Sequence, residues 1–156
     1  MVVLQIREAH ASDVEGILRC LQAAFAGYKN LYTPEAFADT VLDSRSLEAR
    51  MQKMRVLVAV SGDQIIGTVS GANCGDGEGH LRGMAVLPAH QGTGVARDLL
   101  AAIERWLKAN GCSRVTLDTT LPLQPAMNFY ERNGYRKSER ITDFFGMTLI
   151  EYTKAL

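Results

Sequence analysis

The sequence predicts an α/β (α+β) fold: a mixed, mostly antiparallel central sheet of about seven strands flanked by helices. Strand-like apolar runs interleave with runs that are apolar at helical spacing, in the order β-α-α-β-β-β-α-β-α-β-β. Short turns such as Ser61-Gly62-Asp63 join consecutive strands and make them antiparallel neighbours. The stretch from His80 to Thr119 reads as strand–helix–strand, the right-handed crossover that a parallel pair requires.

Each element has its own signal. Val2 to Arg7 alternates and forms a first strand. Ser12-Asp13-Val14-Glu15 is a capping box with Ser12 as N-cap. Val14, Ile17, Leu18, Leu21 and Phe25 then recur at helical spacing until Gly27 ends the helix. Thr33-Pro34-Glu35 opens a second helix with proline at its first position. Asp43-Ser44-Arg45-Ser46 interrupts that helix before Leu47 to Lys53 continues. Arg55 to Val60 and Gln64 to Ser70 form a hairpin, and Ala72 to Gly79 is a glycine-rich loop. His80 to Leu87 is a strand, followed by a helix from about Gly92 to Ala109 that Asn110-Gly111 stops. Ser113 to Thr119 is a strand, Pro125 to Asn133 a short helix closed by Gly134, and Tyr135 to Arg140 and Phe144 to Thr153 are the last strands. With no repeat and no linker, residues 1–156 read as a single domain.

Composition narrows the function. Seventeen basic residues balance 17 acidic ones, so nothing supplies the global positive field of a nucleic-acid binder. Cys20, Cys74 and Cys112 are odd in number and far apart, which suits reduced thiols and neither a disulfide framework nor a metal site. The opening Met-Val-Val-Leu-Gln-Ile-Arg-Glu is no signal peptide, and no apolar run approaches the roughly 20 residues that cross a bilayer. The expectation is a cytoplasmic protein without membrane, nucleic-acid or metal partners.

The most informative run is Met84-Ala85-Val86-Leu87-Pro88-Ala89-His90-Gln91-Gly92-Thr93-Gly94-Val95-Ala96-Arg97. An apolar strand ends at a proline, a glycine-broken turn follows, and a long helix begins. That arrangement aims free backbone N–H groups and the positive end of a helix dipole at one point, a phosphate cradle. No Gly-Lys-Ser/Thr follows, so it is not a triphosphate loop. The strand lies mid-chain and the next one does not end in an acidic residue, since Asp118 lies inside it; this argues against a dinucleotide site. A site for a phosphorylated coenzyme and a plain strand-to-helix loop remain.

Gln91-x-x-Gly94-x-Ala96 is similar to the Arg/Gln-x-x-Gly-x-Gly/Ala motif of the GCN5-related N-acetyltransferases (GNAT). Leu81 to Pro88 resembles the strand that precedes it in that family. Pro125-Ala126-Met127-Asn128-Phe129-Tyr130-Glu131-Arg132-Asn133-Gly134-Tyr135 resembles the family's Ala-x-x-x-Tyr-x-x-x-Gly-Phe/Tyr. The resemblance implies a GNAT-like sheet with a splayed pair of parallel central strands, and acetyl-CoA as donor with coenzyme A as product. It implies that backbone amides of Gln91, Gly92, Thr93, Gly94, Val95 and Ala96 hold the pyrophosphate, with Arg97 and the Gln91 side chain near the phosphates. Met84, Ala85 and Val86 would line the pantetheine arm, the backbone of Met84 and Val86 pairing with it like an added strand. Asn128 and Tyr130 would complete the coenzyme contacts. An asparagine common in the family three residues before the motif alanine is here Leu123, so its contact is absent or comes from Gln124.

Acetyl transfer to an amine needs a neutral amine, N–H donors for the oxyanion, and a proton for the thiolate. Tyr130 falls on the family's tyrosine and is the candidate acid; the alternative is a core tyrosine packed against Ala126. His80 lies four residues before Met84, where several family members carry a glutamate, and is the candidate base. Strand alternation would put Glu78, His80, Arg82 and Met84 on one face, with Glu78 and Asp118 as rival bases. The segments from Gly27 to Glu35 and Thr142 to Gly146 would receive the acceptor, walled by Tyr28, Tyr32, Phe144 and Phe145. Glu35, Asp76, Glu78 and Asp118 would attract a cationic amine. Two functions stand: an N-acetyltransferase acting on a primary amine of a small molecule or protein, and a catalytically silent acyl-CoA-binding sensor. Homodimers through the last strands are common among similar proteins, and the sequence chooses neither oligomeric state nor acceptor.

Overall fold

In the computed structural model, which describes residues 4–156, the strands are β1 (Leu4–Glu8), β2 (Arg55–Ser61), β3 (Gln64–Asn73), β4 (Glu78–Val86), β5 (Arg114–Thr120), β6 (Arg136–Phe144) and β7 (Met147–Ala155). Positions 2 and 3 of the expected first strand lie outside the described residues. The helices are α1 (Val14–Phe25), α2 (Pro34–Thr40), α3 (Ser44–Lys53), α4 (Val95–Ala109) and α5 (Gln124–Arg132). The seven strands form one sheet in the order β1-β2-β3-β4-β5-β7-β6. Every neighbouring pair is antiparallel except β4–β5, the two strands that α4 connects. Among the described residues no helix is long and apolar enough to cross a membrane.

Helix periodicity decides what covers each face. On α4, Val95, Leu99, Leu100, Ile103 and Leu107 are all buried and pack on Leu57, Ile66, Leu81 and Leu117 of the sheet. Burying each such leucine contributes about 1.5–3 kcal/mol, so α4 is fixed firmly against the strands that flank the site. On the opposite face Ile17, Leu21 and Leu47 from α1 and α3 pack with Val56, Val58 and Ala85.

Three local expectations are corrected. Ser12 does not cap α1: a 3-10 turn at Ala11–Asp13 precedes it, and the Asp13 carboxylate accepts two hydrogen bonds from Arg7 at 2.7 and 3.0 Å. It also accepts one from the His10 N–H at 2.7 Å. A bidentate, charge-assisted pair outweighs a hydroxyl cap; the Arg7 hydrogen bond holds the Asp13 carboxyl below its ordinary range. Gly27 does not stop α1, because the chain runs on as 3-10 helix through Ala26–Leu31. The glycine-rich loop is short, because Ala72 and Asn73 pair with His80 and Gly79 and leave positions 74–77 as the turn. Pro34 opens α2 as expected, with Thr33 accepting from the Ala36 N–H, and the interruption at 43–46 is the start of a separate helix, where Asp43 accepts from the Ser46 N–H.

The feature that makes the site is the parting of β4 from β5. Their ladder covers Glu78–Leu81 against Arg114–Leu117 and stops there, while β4 continues on β3 to Val86 and β5 on β7 to Thr120. A bulge accompanies the parting. Arg82 faces Ser70 and Ala85 faces Thr68, so Gly83 and Met84 together oppose the single residue Val69. The extra residue reverses the alternation. Ala85 therefore joins the α1/α3 core and Met84 packs on the α4 side, not on the face of His80 and Arg82 as strict alternation implied. Gly83 has φ 65°, and a Cβ there would lie 2.6 Å from Nη1 of Arg50. Gly83→Ala is expected to destabilise the protein by about 1–2 kcal/mol, read as a lower urea midpoint; an unchanged midpoint would mean that the bulge does not need glycine.

Candidate functional site

A cleft of about 820 Å³ opens where β4 and β5 diverge, and it is continuous from the start of α4 to the segment between α1 and α2. Where α4 begins, Gly92 and Gly94 have φ 77° and 93°, a region that residues with a Cβ avoid. Gly94 is the N-cap of α4 and has no side chain to satisfy the first-turn N–H groups. Those amides are left for an external anion. Gln91, Gly92, Gly94, Ala96 and Arg97 line this end. The Arg97 side chain is 69% exposed, and its nearest carboxylate, Asp98, is 3.7 Å away.

Three residues of the run serve the scaffold. The Gln91 side chain, expected beside the phosphates, donates to the Val86 carbonyl at 3.0 Å and ties the turn to the end of β4. Thr93 donates back to the His90 carbonyl and closes the turn. Val95 is buried and anchors the helix. Farther back, the Leu87 N–H donates to the Ile66 carbonyl at 2.8 Å on the β3 side. By strand alternation, the backbone groups of Val86 and Met84 face the opposite way, into the gap left by β5. Met84, Ala85 and Val86 all line the cleft.

Tyr130 sits on α5 with its ring packed against Phe129, Tyr135 and Tyr152, at centroid distances of 5.3, 5.6 and 6.5 Å. Its core packing and its place in the cleft wall hold together: the residue is 8% exposed and lines the cleft. Burial pushes its phenol pKa up, so the proton stays on the oxygen at neutral pH. Asn128 does not line the cleft; its side chain accepts a hydrogen bond from Gln124 at 3.0 Å on the exposed side of α5. Gln124 is thereby engaged, and Leu123 presents an apolar contact to the cleft instead.

His80 lies at the fork, one residue before the last paired position of β4. Its Nδ1 is 2.8 Å from Thr116 Oγ1, and its Nε2 is 3.7 Å from Asp118 Oδ2. Burial lowers the His80 pKa, and the Asp118 charge works against that. Burial raises the Asp118 pKa, and His80 works against it. The imidazole is therefore neutral near pH 7, with Asp118 beside it. Glu78 is at the far, paired end of the strand, outside the cleft, with its carboxylate 3.3 Å from Arg114 Nε. That placement separates it from the reaction centre that the sequence assigned it to.

At the end of the cleft away from α4, Tyr28, Tyr32 and Phe144 line it. The Tyr32 hydroxyl is 2.7 Å from Thr120 Oγ1, which pins the α1–α2 connection to β5. Phe145 does not line it: the residue sits in the β6–β7 turn at φ 51°, 52% exposed, and the preceding ring faces inward in its place. The Phe145 carbonyl accepts a hydrogen bond from Thr33 Oγ1 at 2.8 Å, so the turn closes the cleft through its backbone. Glu35 and Asp76 lie outside. Sequence reasoning missed Asp39 and Arg50, which enter the cleft from α2 and α3; on a helical wheel both read as ordinary solvated charges.

Comparison with known proteins agrees with this geometry. The profile of the Acetyltransferase (GNAT) family matches residues 18–135. The aminoglycoside N(6')-acetyltransferase type 1 of Stenotrophomonas maltophilia is 35% identical over 66 residues, 42% of this chain and 43% of that protein. The chain therefore aligns with less than half of that relative's length. The PaiA N-acetyltransferase of Thermoplasma acidophilum, solved in complex with coenzyme A, superposes with a TM-score of 0.82 over 99% of both chains at 18% identity. The ribosomal-protein-S18-alanine N-acetyltransferase of Escherichia coli superposes with a TM-score of 0.79 over 98% of this chain and 94% of its own, at 15% identity. At such identities the likeness is one of fold. Gly94→Glu is expected to abolish coenzyme A binding in calorimetry while the chain stays folded by circular dichroism, because bulk and negative charge enter the α4 N-terminus. Undiminished affinity would refute the anion grip.

Proposed function

The chain belongs to the acetyltransferase (GNAT) family, and on that premise we propose that it transfers an acetyl group from acetyl-CoA to a primary amine by direct attack. The observation that carries this reading is the single cleft that joins a free helix N-terminus, an unpaired strand edge, a protonated buried tyrosine and a neutral histidine beside a carboxylate. Amides of the turn from Gln91 to Ala96 hold the pyrophosphate, and the gap-facing backbone of Met84 and Val86 pairs with the pantetheine arm. The thioester supplies the acyl group, and the amine approaches from the Tyr28, Tyr32 and Phe144 side.

The residues then divide the proton work. With its own proton on Nδ1, directed at Thr116 Oγ1, His80 offers the Nε2 lone pair to an N–H proton of the neutral amine as it attacks. Asp118 stabilises the imidazolium that results. The C–N bond forms, backbone N–H groups in the gap stabilise the oxyanion, and the C–S bond breaks as Tyr130 gives its proton to the departing thiolate. Burial keeps the Tyr130 phenol protonated at neutral pH, so it has a proton to give. Leu123 in place of the family's asparagine favours a second reading, a coenzyme-binding module without turnover. Thiol release across an amine panel separates the two: coenzyme bound tightly with no release on any amine sinks the enzyme.

Two outcomes test the roles. Tyr130→Phe is expected to lower kcat by roughly 10²-fold while coenzyme A affinity changes little; equal losses in both would remove the acid role. The pH profile of kcat/KM should rise through an inflection below the ordinary histidine value of about 6.5, since burial disfavours the charged imidazole. Asp118→Asn removes the charge that supports the imidazolium, so the inflection should move to still lower pH. An inflection that stays in place would uncouple the pair.

A further inference from the structure

We propose that the acceptor carries a carboxylate as well as its amine, and that Arg50 of α3 is the residue that selects it. The proposal rests on the acetyltransferase reading and names the substrate class for that same site. Arg50 reaches from α3 across the bulge, where its Nη1 occupies the space that a Cβ on Gly83 would need. The missing side chain at Gly83 is thus what admits the guanidinium to the cleft wall. Once there, it makes no hydrogen bond or ion pair with any described residue. The nearest carboxylate that acts on it, Asp39, is already held by Arg82 at 2.8 Å. Burial and the neighbouring Arg82 depress its pKa to about 10. It remains charged at neutral pH, but it has lost much of its water and found no partner.

A partly desolvated guanidinium without an anion costs free energy, and a ligand anion relieves that cost. Its planar fork matches a carboxylate through two parallel hydrogen bonds. The surrounding charges favour a monoanion. Arg50 and Arg82 are matched by Asp39 and Asp118, with His80 neutral, so the acceptor end is balanced and holds a zwitterion without net gain or loss of charge. A polycationic amine meets two arginines there, and a doubly charged phosphate meets two aspartates. Arg50 and His80 also mark opposite ends of one stretch of β4. His80 and Gly83 are three residues apart, roughly 10 Å at strand rise, so an acceptor can reach the base with its amine and the guanidinium with its carboxylate. An amino acid or a short peptide with a free carboxyl terminus fits this description.

The test pairs each carboxylate-bearing amine with its decarboxylated counterpart and its aminophosphonate, with a polyamine alongside, and follows thiol release by the full-length protein. The carboxylate form should be favoured in kcat/KM at least about tenfold, mainly through KM. Arg50→Met should erase that preference, and Arg50→Lys should restore part of it. Thermal shift of the coenzyme A-bound protein with each amine reads acceptor binding without chemistry. If turnover occurs with no preference for the carboxylate, or the polyamine or phosphonate is favoured, the Arg50 proposal is overturned while acetyl transfer stands. If no amine is acetylated although coenzyme A binds, acetyl transfer fails, and the thermal shifts alone decide whether Arg50 selects a carboxylate.

Discussion

β4 and β5 share a ladder only from Glu78 to Leu81, and the site follows from what happens to the backbone beyond it. A strand edge inside a sheet is normally paired on both sides, because an unpaired amide or carbonyl away from water costs free energy comparable to a lost hydrogen bond. Here β4 keeps β3 on one side and loses β5 on the other while both strands continue. α4 is buried against the sheet on the face beside the opening and starts at its mouth. The same few residues therefore present an anion grip, an extended edge and two titratable side chains to one continuous space.

The two faces of the sheet contribute different chemistry to that space. Tyr130 belongs to the aromatic group on the α4 side, where dense packing removes water and keeps its proton in place. His80, Arg82 and Asp118 belong to the α1–α3 side, which is more polar and closes over the cleft through hydrogen bonds of Tyr32 and Thr33. The bulge at Gly83 lets one strand serve both sides: it turns Met84 toward the aromatic face and Ala85 toward the other.

What the sequence made legible was local in the chain. The strand–turn–helix from Met84 to Arg97 is shaped largely by its backbone and glycines, so its spacing survives in one dimension. The element order, the Tyr130 motif and the proline-led start of α2 were readable for the same reason. What failed depended on side-chain partners outside the residue's own element or on parity. Ser12 lost its cap because Asp13 turned to Arg7. Met84 changed face because one extra residue entered β4, and of the two phenylalanines only Phe144 lines the cleft because Phe145 sits in the turn at φ 51°. Gln91 was engaged by Val86 five residues earlier, and Arg50 came into view only once α3 was packed across the bulge.

The bonds from Tyr32 to Thr120 and from Thr33 to Phe145 join positions 88 and 112 residues apart. The proposed donor grip, by contrast, is one uninterrupted phrase of the chain. Information about the two substrates is thus stored differently: the donor as a compact word that drifts little without losing its meaning, the acceptor as scattered letters from both ends of the polypeptide. Two descendants of such a chain can keep the word and rewrite the letters independently. A likeness confined to part of the sequence then announces the common donor and is silent about the amine, which only the assembled chamber spells out.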